Sequence, residues 1–122
     1  MSTILKTRYV LAVKDLNIST QYYVKKLGFS ILNEYPGWCF LGRESFILML
    51  GECKDTDSAE DIGDHSYFAY IDVSNSSNLY SELKGSDVVF IKKLTSEPWG
   101  MKEFGIKTVD GHRIMFGEDI NN

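Results

Sequence analysis

The sequence predicts an α+β fold built from two βαβββ modules, and three observations carry that expectation. Met49-Leu50-Gly51-Glu52 returns as Met115-Phe116-Gly117-Glu118. A strand-like run, Tyr9 to Val13 or Tyr67 to Ile71, opens each half and leads into a helical stretch that stops at Gly28 or Gly85. Between Arg113 and the preceding strand stands Asp110-Gly111, among the strongest short hairpin signals. A half-domain repeated once cannot cover its own apolar face, so the halves are expected to pair and leave a ligand site between them.

The elements follow in order. Residues 7–13 are rich in β-branched and apolar types and read as a strand. Asp15 or Asn17 can cap the helix that follows, with Ile18, Tyr22 and Leu27 near helical spacing. Phe29 to Leu32, Trp38 to Leu41 and Phe46 to Leu50 then read as strands separated by turns at Pro36-Gly37 and at 42–44. Gly51 to His65 shifts to Asp, Glu, Ser and Gly without apolar periodicity and reads as a linker. Asp55, Asp57, Glu60 and Asp61 do not make a calcium loop, because the glycine needed for its sharp turn is missing at the sixth position. The second module repeats the order: strand 66–73, helix 74–84 with Leu79 and Leu83 inward, and strand 88–91. A turn at Glu97-Pro98-Trp99-Gly100 then leads to a hairpin of 103–109 with 113–116, both of whose turn residues are expected at positive φ. The expected layout is one domain over 1–122, with module one at about 1–52, a linker at about 53–64 and module two at about 65–122.

Composition narrows the function classes. With 122 residues, 43% hydrophobic and 25% charged, the chain is ordinary globular material. A net charge of −4 with 13 dispersed Lys and Arg argues against nucleic acid, which needs a concentrated basic face, and suits a cationic small molecule. The longest apolar run, Phe46 to Leu50, is too short for a membrane span, and the N-terminus has no basic segment followed by an apolar stretch, so a soluble cytoplasmic protein without membrane partners is expected. Cys39 and Cys53 form no Cys-x-x-Cys pattern and read as reduced structural thiols.

The doubled β-α-β-β-β order, the Gly-Phe after the first helix and the segment 97–116, EPWGMKEFGIKTVDGHRIMF, resemble the vicinal oxygen chelate superfamily. That superfamily includes glyoxalase I, extradiol dioxygenases, fosfomycin-modifying enzymes and the bleomycin resistance proteins, and the segment 97–116 looks like the resistance branch. The resemblance implies two paired modules with helices outside and curved mixed sheets forming a cup. It also implies a homodimer, often with exchange of the N-terminal strand, and drug sites in crevices between subunits. Metal-dependent members take ligands from the opening and closing strands of each module, and the internal repeat places those positions at Arg8, Met49, Ser66 and Met115. None suits a hard divalent cation, and an Arg there repels one. No metal or other cofactor is expected.

His65 stands one residue from Ser66 and so on the opposite strand face, His112 beside the hairpin turn reads as an exposed polar residue, and Glu52 and Glu118 read as strand ends in water. No Gly-x-Ser-x-Gly motif or phosphate loop supplies other chemistry.

The expectation is therefore a non-catalytic protein that sequesters bleomycin-type cationic glycopeptide drugs in a dimer-interface crevice. Its ligand-binding residues would be Trp38, Phe40, Met49, Phe68, Tyr70, Trp99, Gly100 and Met115. Trp38 and Trp99 are expected on turns at the rim, where an indole stacks on a flat ring for roughly 0.5–1.5 kcal/mol beyond area burial. Two alternatives stand beside it: a metal-dependent lyase, dioxygenase or thiol transferase using His65 and Glu118, and a binding module for another small apolar ligand.

Overall fold

A computed structural model of the chain describes Ser2, residues 5–55 and residues 67–121. Ser66, His65 and most of the expected linker, including Asp57, Glu60 and Asp61, lie outside the described residues. The chain divides into two compact units, Met1–Thr56 and Asp57–Asn122. Each has the order strand, helix and three strands, so the α+β class and the two βαβββ modules are as the sequence leads one to expect.

In the first unit, β1 (Arg8–Val13) runs parallel to β4 (Phe46–Glu52), and β3 (Trp38–Arg43) and β2 (Ser30–Tyr35) continue antiparallel, giving the order β1-β4-β3-β2. Strand alternation sends Leu11, Val13, Cys39, Leu41, Leu48 and Leu50 to one face, where all are buried. Helix α1 (Leu16–Leu27) covers that face. Its inward residues are Ser19, Thr20, Tyr23 and Leu27, whereas Ile18 is 54% exposed. Of the expected Ile18, Tyr22 and Leu27 spacing, Leu27 is buried, Tyr22 half-buried and Ile18 exposed, and Asp15 is the N-cap, accepting from the Ile18 N–H at 3.0 Å. Full burial of Tyr23 and Leu27 contributes roughly 1.5–3 kcal/mol for the aliphatic side chain and a comparable amount for the ring.

The second unit follows the same plan. β5 (Tyr67–Asp72) runs parallel to β8 (Arg113–Asp119), followed by β7 (Met101–Lys107) and β6 (Val89–Ser96) in antiparallel order. Helix α2 (Ser76–Lys84) packs on this sheet, with Leu83 buried and Tyr80 against the Phe104 ring, centroids 5.2 Å apart. Phe104 stacks in turn on Phe116 at 5.2 Å. Strand β6 reaches five residues beyond the expected end at Ile91, because its alternation continues through Lys92 and Leu94 with two register shifts against β7. The hairpin between β7 and β8 is also wider than a two-residue turn. The Gly111 N–H donates to Thr108 O at 2.9 Å and the Thr108 N–H to His112 O at 2.8 Å. Only Gly111 takes positive φ, at 86°, so the expectation for Asp110 is corrected.

The repeated tetrapeptide has a physical explanation, position by position. Met49 and Met115 face away from the helices, whereas Leu50 and Phe116 face toward them and are buried. Gly51 lies beneath Trp38, where a Cβ would come within 2.9 Å of the indole. Gly117 lies beneath Tyr70, where a Cβ would meet Cζ at 2.6 Å. The glutamates cap helices: Glu52 accepts from the Leu16 N–H at 2.9 Å, and Glu118 from the Ser76 N–H and hydroxyl, both at 2.8 Å. Each closing strand thus places a carboxylate against the otherwise unpaired first amide of its own module's helix. Glu52 is the exposed last residue of β4 and Glu118 the next-to-last of β8, and to that expected placement the structure adds the capping role.

Candidate functional site

Each sheet buries one face under its helix and leaves the other free of helix. In the first unit the helix-free face carries Arg8, Val10, Trp38, Phe40, Ile47 and Met49, as the register of β1, β3 and β4 requires. Trp38 pairs with Gly51 and Phe40 with Met49, and the rings of Trp38 and Phe40 meet edge to face at 6.4 Å. Trp38 is therefore the first residue of a strand, not a turn residue; Pro36-Gly37 forms the turn before it. It remains 39% exposed.

In the second unit the helix-free face carries Phe68, Tyr70 and Met115, which line an open depression of about 200 Å³ together with Tyr67 and Ala69. Tyr67 is not expected there from alternation. A register irregularity between Tyr67 and Ala69 against β8 adds it: a Cβ on Gly105 would come within 2.8 Å of the Tyr67 hydroxyl. Phe68 packs edge-on against the His112 imidazole at 5.8 Å. His112 is half-buried there rather than exposed, its Nδ1 is buried without a hydrogen-bond partner among the described residues, and burial pulls its pKa down against the opposing pull of Asp110.

Beside the depression lies a charged network that the sequence reading did not identify. The Tyr70 hydroxyl donates to Glu103 Oε2 at 2.6 Å, and Lys92 Nζ donates to Glu103 Oε1 at 2.7 Å. Lys92 also pairs with Glu97 at 3.2 Å and sits 5.5 Å from the centroid of the Trp99 ring. Glu103 is buried, so desolvation opposes its ionisation, but the hydrogen bonds from Lys92 and Tyr70 outweigh that and hold its pKa below the usual carboxylate range. Burial and then the bond to Glu103 push the Tyr70 phenol upward. For Lys92, burial lowers and the two carboxylates raise; the carboxylates win. The one available signal was alternation: Met101, Glu103 and Gly105 share the face opposite Phe104 and Ile106.

Trp99 stands on the turn before β7, 62% exposed, with one side of its ring toward Lys92. Gly100 is buried with φ 88°, its carbonyl accepts from the Ile120 N–H at 3.0 Å, and a Cβ there would overlap the Asn121 side chain. Its place in the structure is to anchor the end of β8. The eight expected binding residues thus fall into two sets, Trp38, Phe40 and Met49 in the first unit and Phe68, Tyr70, Trp99, Gly100 and Met115 in the second.

Of the four positions where metal-dependent members carry ligands, Arg8, Met49 and Met115 are described, and all three lie on helix-free faces. Their donor chemistry does not fit a hard divalent cation. Among the described residues, no three His, Cys, Asp or Glu side chains come together as a metal cluster. Cys39 is buried and Cys53 exposed, both free, and no helix among the described residues is long and apolar enough to cross a membrane.

Solved structures share this architecture. A glyoxalase/bleomycin resistance protein/dioxygenase from Alicyclobacillus acidocaldarius superposes with TM-score 0.82 at 18% identity, over 95% of this chain and 92% of that one. TioX from Micromonospora sp. ML1 gives 0.78 at 18% identity, over 94% and 98%. A glyoxalase/bleomycin resistance protein/dioxygenase from Nocardioides gives 0.75 at 18%, over 100% and 87%. No curated protein sequence matches the chain. The model of the Glyoxalase/Bleomycin resistance protein/Dioxygenase superfamily matches residues 7–116, and with two βαβββ modules carrying the match, the chain belongs to that superfamily.

Proposed function

We propose that the chain is a non-catalytic binding protein that sequesters flat, cationic drugs of the bleomycin type. The observation that carries the reading is the character of the helix-free faces. Thioethers, Met49 in the first unit and Met115 in the second, stand at the positions where the family resemblance puts the ligands of metal-dependent members; Trp38 stays exposed on the face of the first unit, and Tyr70, beside Met115, and Trp99 stay exposed in the second. Such surface offers stacking and soft packing to a flat ring system. The net charge of −4 suits a positively charged partner. Tyr70 and Glu103 are driven in opposite directions, the phenol up and the carboxyl down, which suits fixed donors and acceptors better than proton transfer near neutral pH.

The ligand would lie in a crevice that a second copy of the chain completes, since these rings stay exposed within one copy and a two-fold partner is the usual way to cover such surface. The metal-dependent alternative with His65 and Glu118 draws less support, because Glu118 is committed to the first turn of α2.

Titration with metal-free bleomycin, followed by calorimetry and tryptophan fluorescence, tests the reading. Sequestration without turnover requires binding at about micromolar or tighter, near −8 kcal/mol. Neither heat nor quenching at saturating drug would remove this ligand and leave a module for another apolar molecule. Stoichiometric zinc, manganese, iron or nickel surviving dialysis would favour the enzyme.

A further inference from the structure

The hydroxyl of Tyr70 has a fixed polarity. It stands 2.6 Å from Glu103 Oε2, the separation at which a hydroxyl donates to a charged carboxylate. The other carboxylate oxygen accepts from Lys92 Nζ at 2.7 Å, and an ammonium can only donate. Glu97 pairs with the same ammonium at 3.2 Å and holds it in place. Burial opposes the ionisation of Glu103, but the bonds from Lys92 and Tyr70 outweigh it, so at neutral pH the carboxylate has no proton to give. The shared proton therefore comes from the phenol.

A phenol has one proton and can still accept through its oxygen. With the proton committed to Glu103, only lone pairs remain for a further partner, and no donor among the described residues bonds them. Donating to a charge also strengthens the oxygen as an acceptor, because hydrogen bonds in a chain polarise one another. Tyr70 is 43% exposed and itself lines the depression, so a molecule resting there meets its side chain directly. Of the other lining side chains, Phe68 and Ala69 carry no hydrogen-bonding group, and the Met115 thioether is a weak acceptor. The Tyr67 hydroxyl bonds nothing among the described residues, so it can turn to donate or to accept and selects neither.

We infer that Tyr70 is a specificity residue that offers the depression an acceptor and no donor, so that this face selects an aromatic ligand with an N–H or O–H donor at its ring edge over one with only an acceptor there. Glu103 and Lys92 are positioning residues that act through the phenol. The inference rests on the reading of this face as a binding surface but not on its ligand being bleomycin.

Naphthol and methoxynaphthalene, which share a ring while only the first can donate, provide the test. Binding is followed by NMR on protein whose tyrosines are isotope-labelled at Cζ, a carbon whose shift responds to bonds at the phenol oxygen. The wild-type chain is expected to bind naphthol about threefold to tenfold more tightly, as one net hydrogen bond implies, with a Tyr70 Cζ shift that methoxynaphthalene does not produce. Tyr70→Phe is expected to bring the ratio below about twofold. Glu103→Gln releases the phenol: Lys92 claims the amide oxygen, the amide NH2 turns to the Tyr70 oxygen, and the Tyr70 proton becomes available to a ligand. In that variant the ratio is expected to fall to about one, and methoxynaphthalene is expected to shift the Tyr70 Cζ as naphthol does. Equal affinities in the wild type, equal Cζ shifts from the two probes, a Glu103→Gln variant that keeps the wild-type ratio, or no binding of either probe would overturn the inference, and the first two need no variant that folds. A failed bleomycin titration with the naphthol preference intact would remove the drug reading and leave this one standing.

Discussion

The two modules share a closing tetrapeptide and a helix-capping glutamate but differ in what lies over the shared glycine. In the first, an indole from the neighbouring β3 covers Gly51; in the second, the phenol of Tyr70 from β5 covers Gly117 and goes on to bond a buried carboxylate. The first helix-free face carries rings and a thioether with one basic residue, Arg8. The second adds the chain of Tyr70, Glu103, Lys92, Glu97 and Trp99. One backbone plan therefore supports two chemically different surfaces, because the plan fixes Met, Gly and Glu while the strands beside them are free to vary. The second module has the polar groups needed for orientation, and the first has mainly area.

On that contrast, the largest effect of a single substitution lies in the network. Glu103→Ala leaves Lys92 with only Glu97 and the Tyr70 hydroxyl without its acceptor, and is expected to destabilise the chain by about 2–4 kcal/mol in denaturant unfolding. A loss under 1 kcal/mol would mean that the network is a surface feature.

Next come the paired glycines. Gly117→Ala forces Tyr70 off Glu103 and is expected to cost about 1–3 kcal/mol, whereas Gly51→Ala displaces only an indole that has open space beside it and is expected to cost less. Equal losses in thermal unfolding would erase the distinction between the two covers. The caps give a smaller difference. Glu118→Ala removes an acceptor of two hydrogen bonds and Glu52→Ala an acceptor of one, so the first is expected to lower the thermal unfolding midpoint more than the second.

Acid resolves the contrast without mutation. Glu103 and Glu118 have folded pKa values below the ordinary 4.5, Glu103 because Lys92 and Tyr70 outweigh burial and Glu118 because the Ser76 amide and hydroxyl bond it. Each contributes stability that is fully present above 4.5 and is lost as pH falls through the lower folded value. His112, lowered by burial, adds an earlier loss that begins as pH drops below its ordinary 6.5. Unfolding free energy measured across this range should therefore decline in two stages, and Glu103→Gln should flatten the lower one. A single decline unaffected by that substitution would sink the assignment.

Much of this was legible in the sequence, for identifiable reasons. Asp15 and Gly28 punctuate α1 through local capping chemistry, and the repeat at 49–52 and 115–118 is written in residue identities, so element order could be read directly. Failures cluster where the backbone departs from regular period. Ile18 was misplaced because the sheet that α1 packs on selects Ser19, Tyr23 and Leu27 as the inward stripe, and Tyr67 was missed because a register irregularity cancels alternation. Glu103 was missed for another reason: a single charged residue in a strand reads as solvated until its partners are known, and Lys92 and Tyr70 come from two other strands.

The sequence by itself determined the duplicated βαβββ plan, since helix caps, strand periods and turn residues act over a few neighbours. Only the tertiary structure decided which side chains share a face and a proton: Glu103 becomes a buried acceptor, and Tyr70 a donor to it, through strand pairings that join residues far apart in the chain. The physical reason is that local preferences choose φ and ψ, whereas burial and charge pairing depend on what another segment brings alongside.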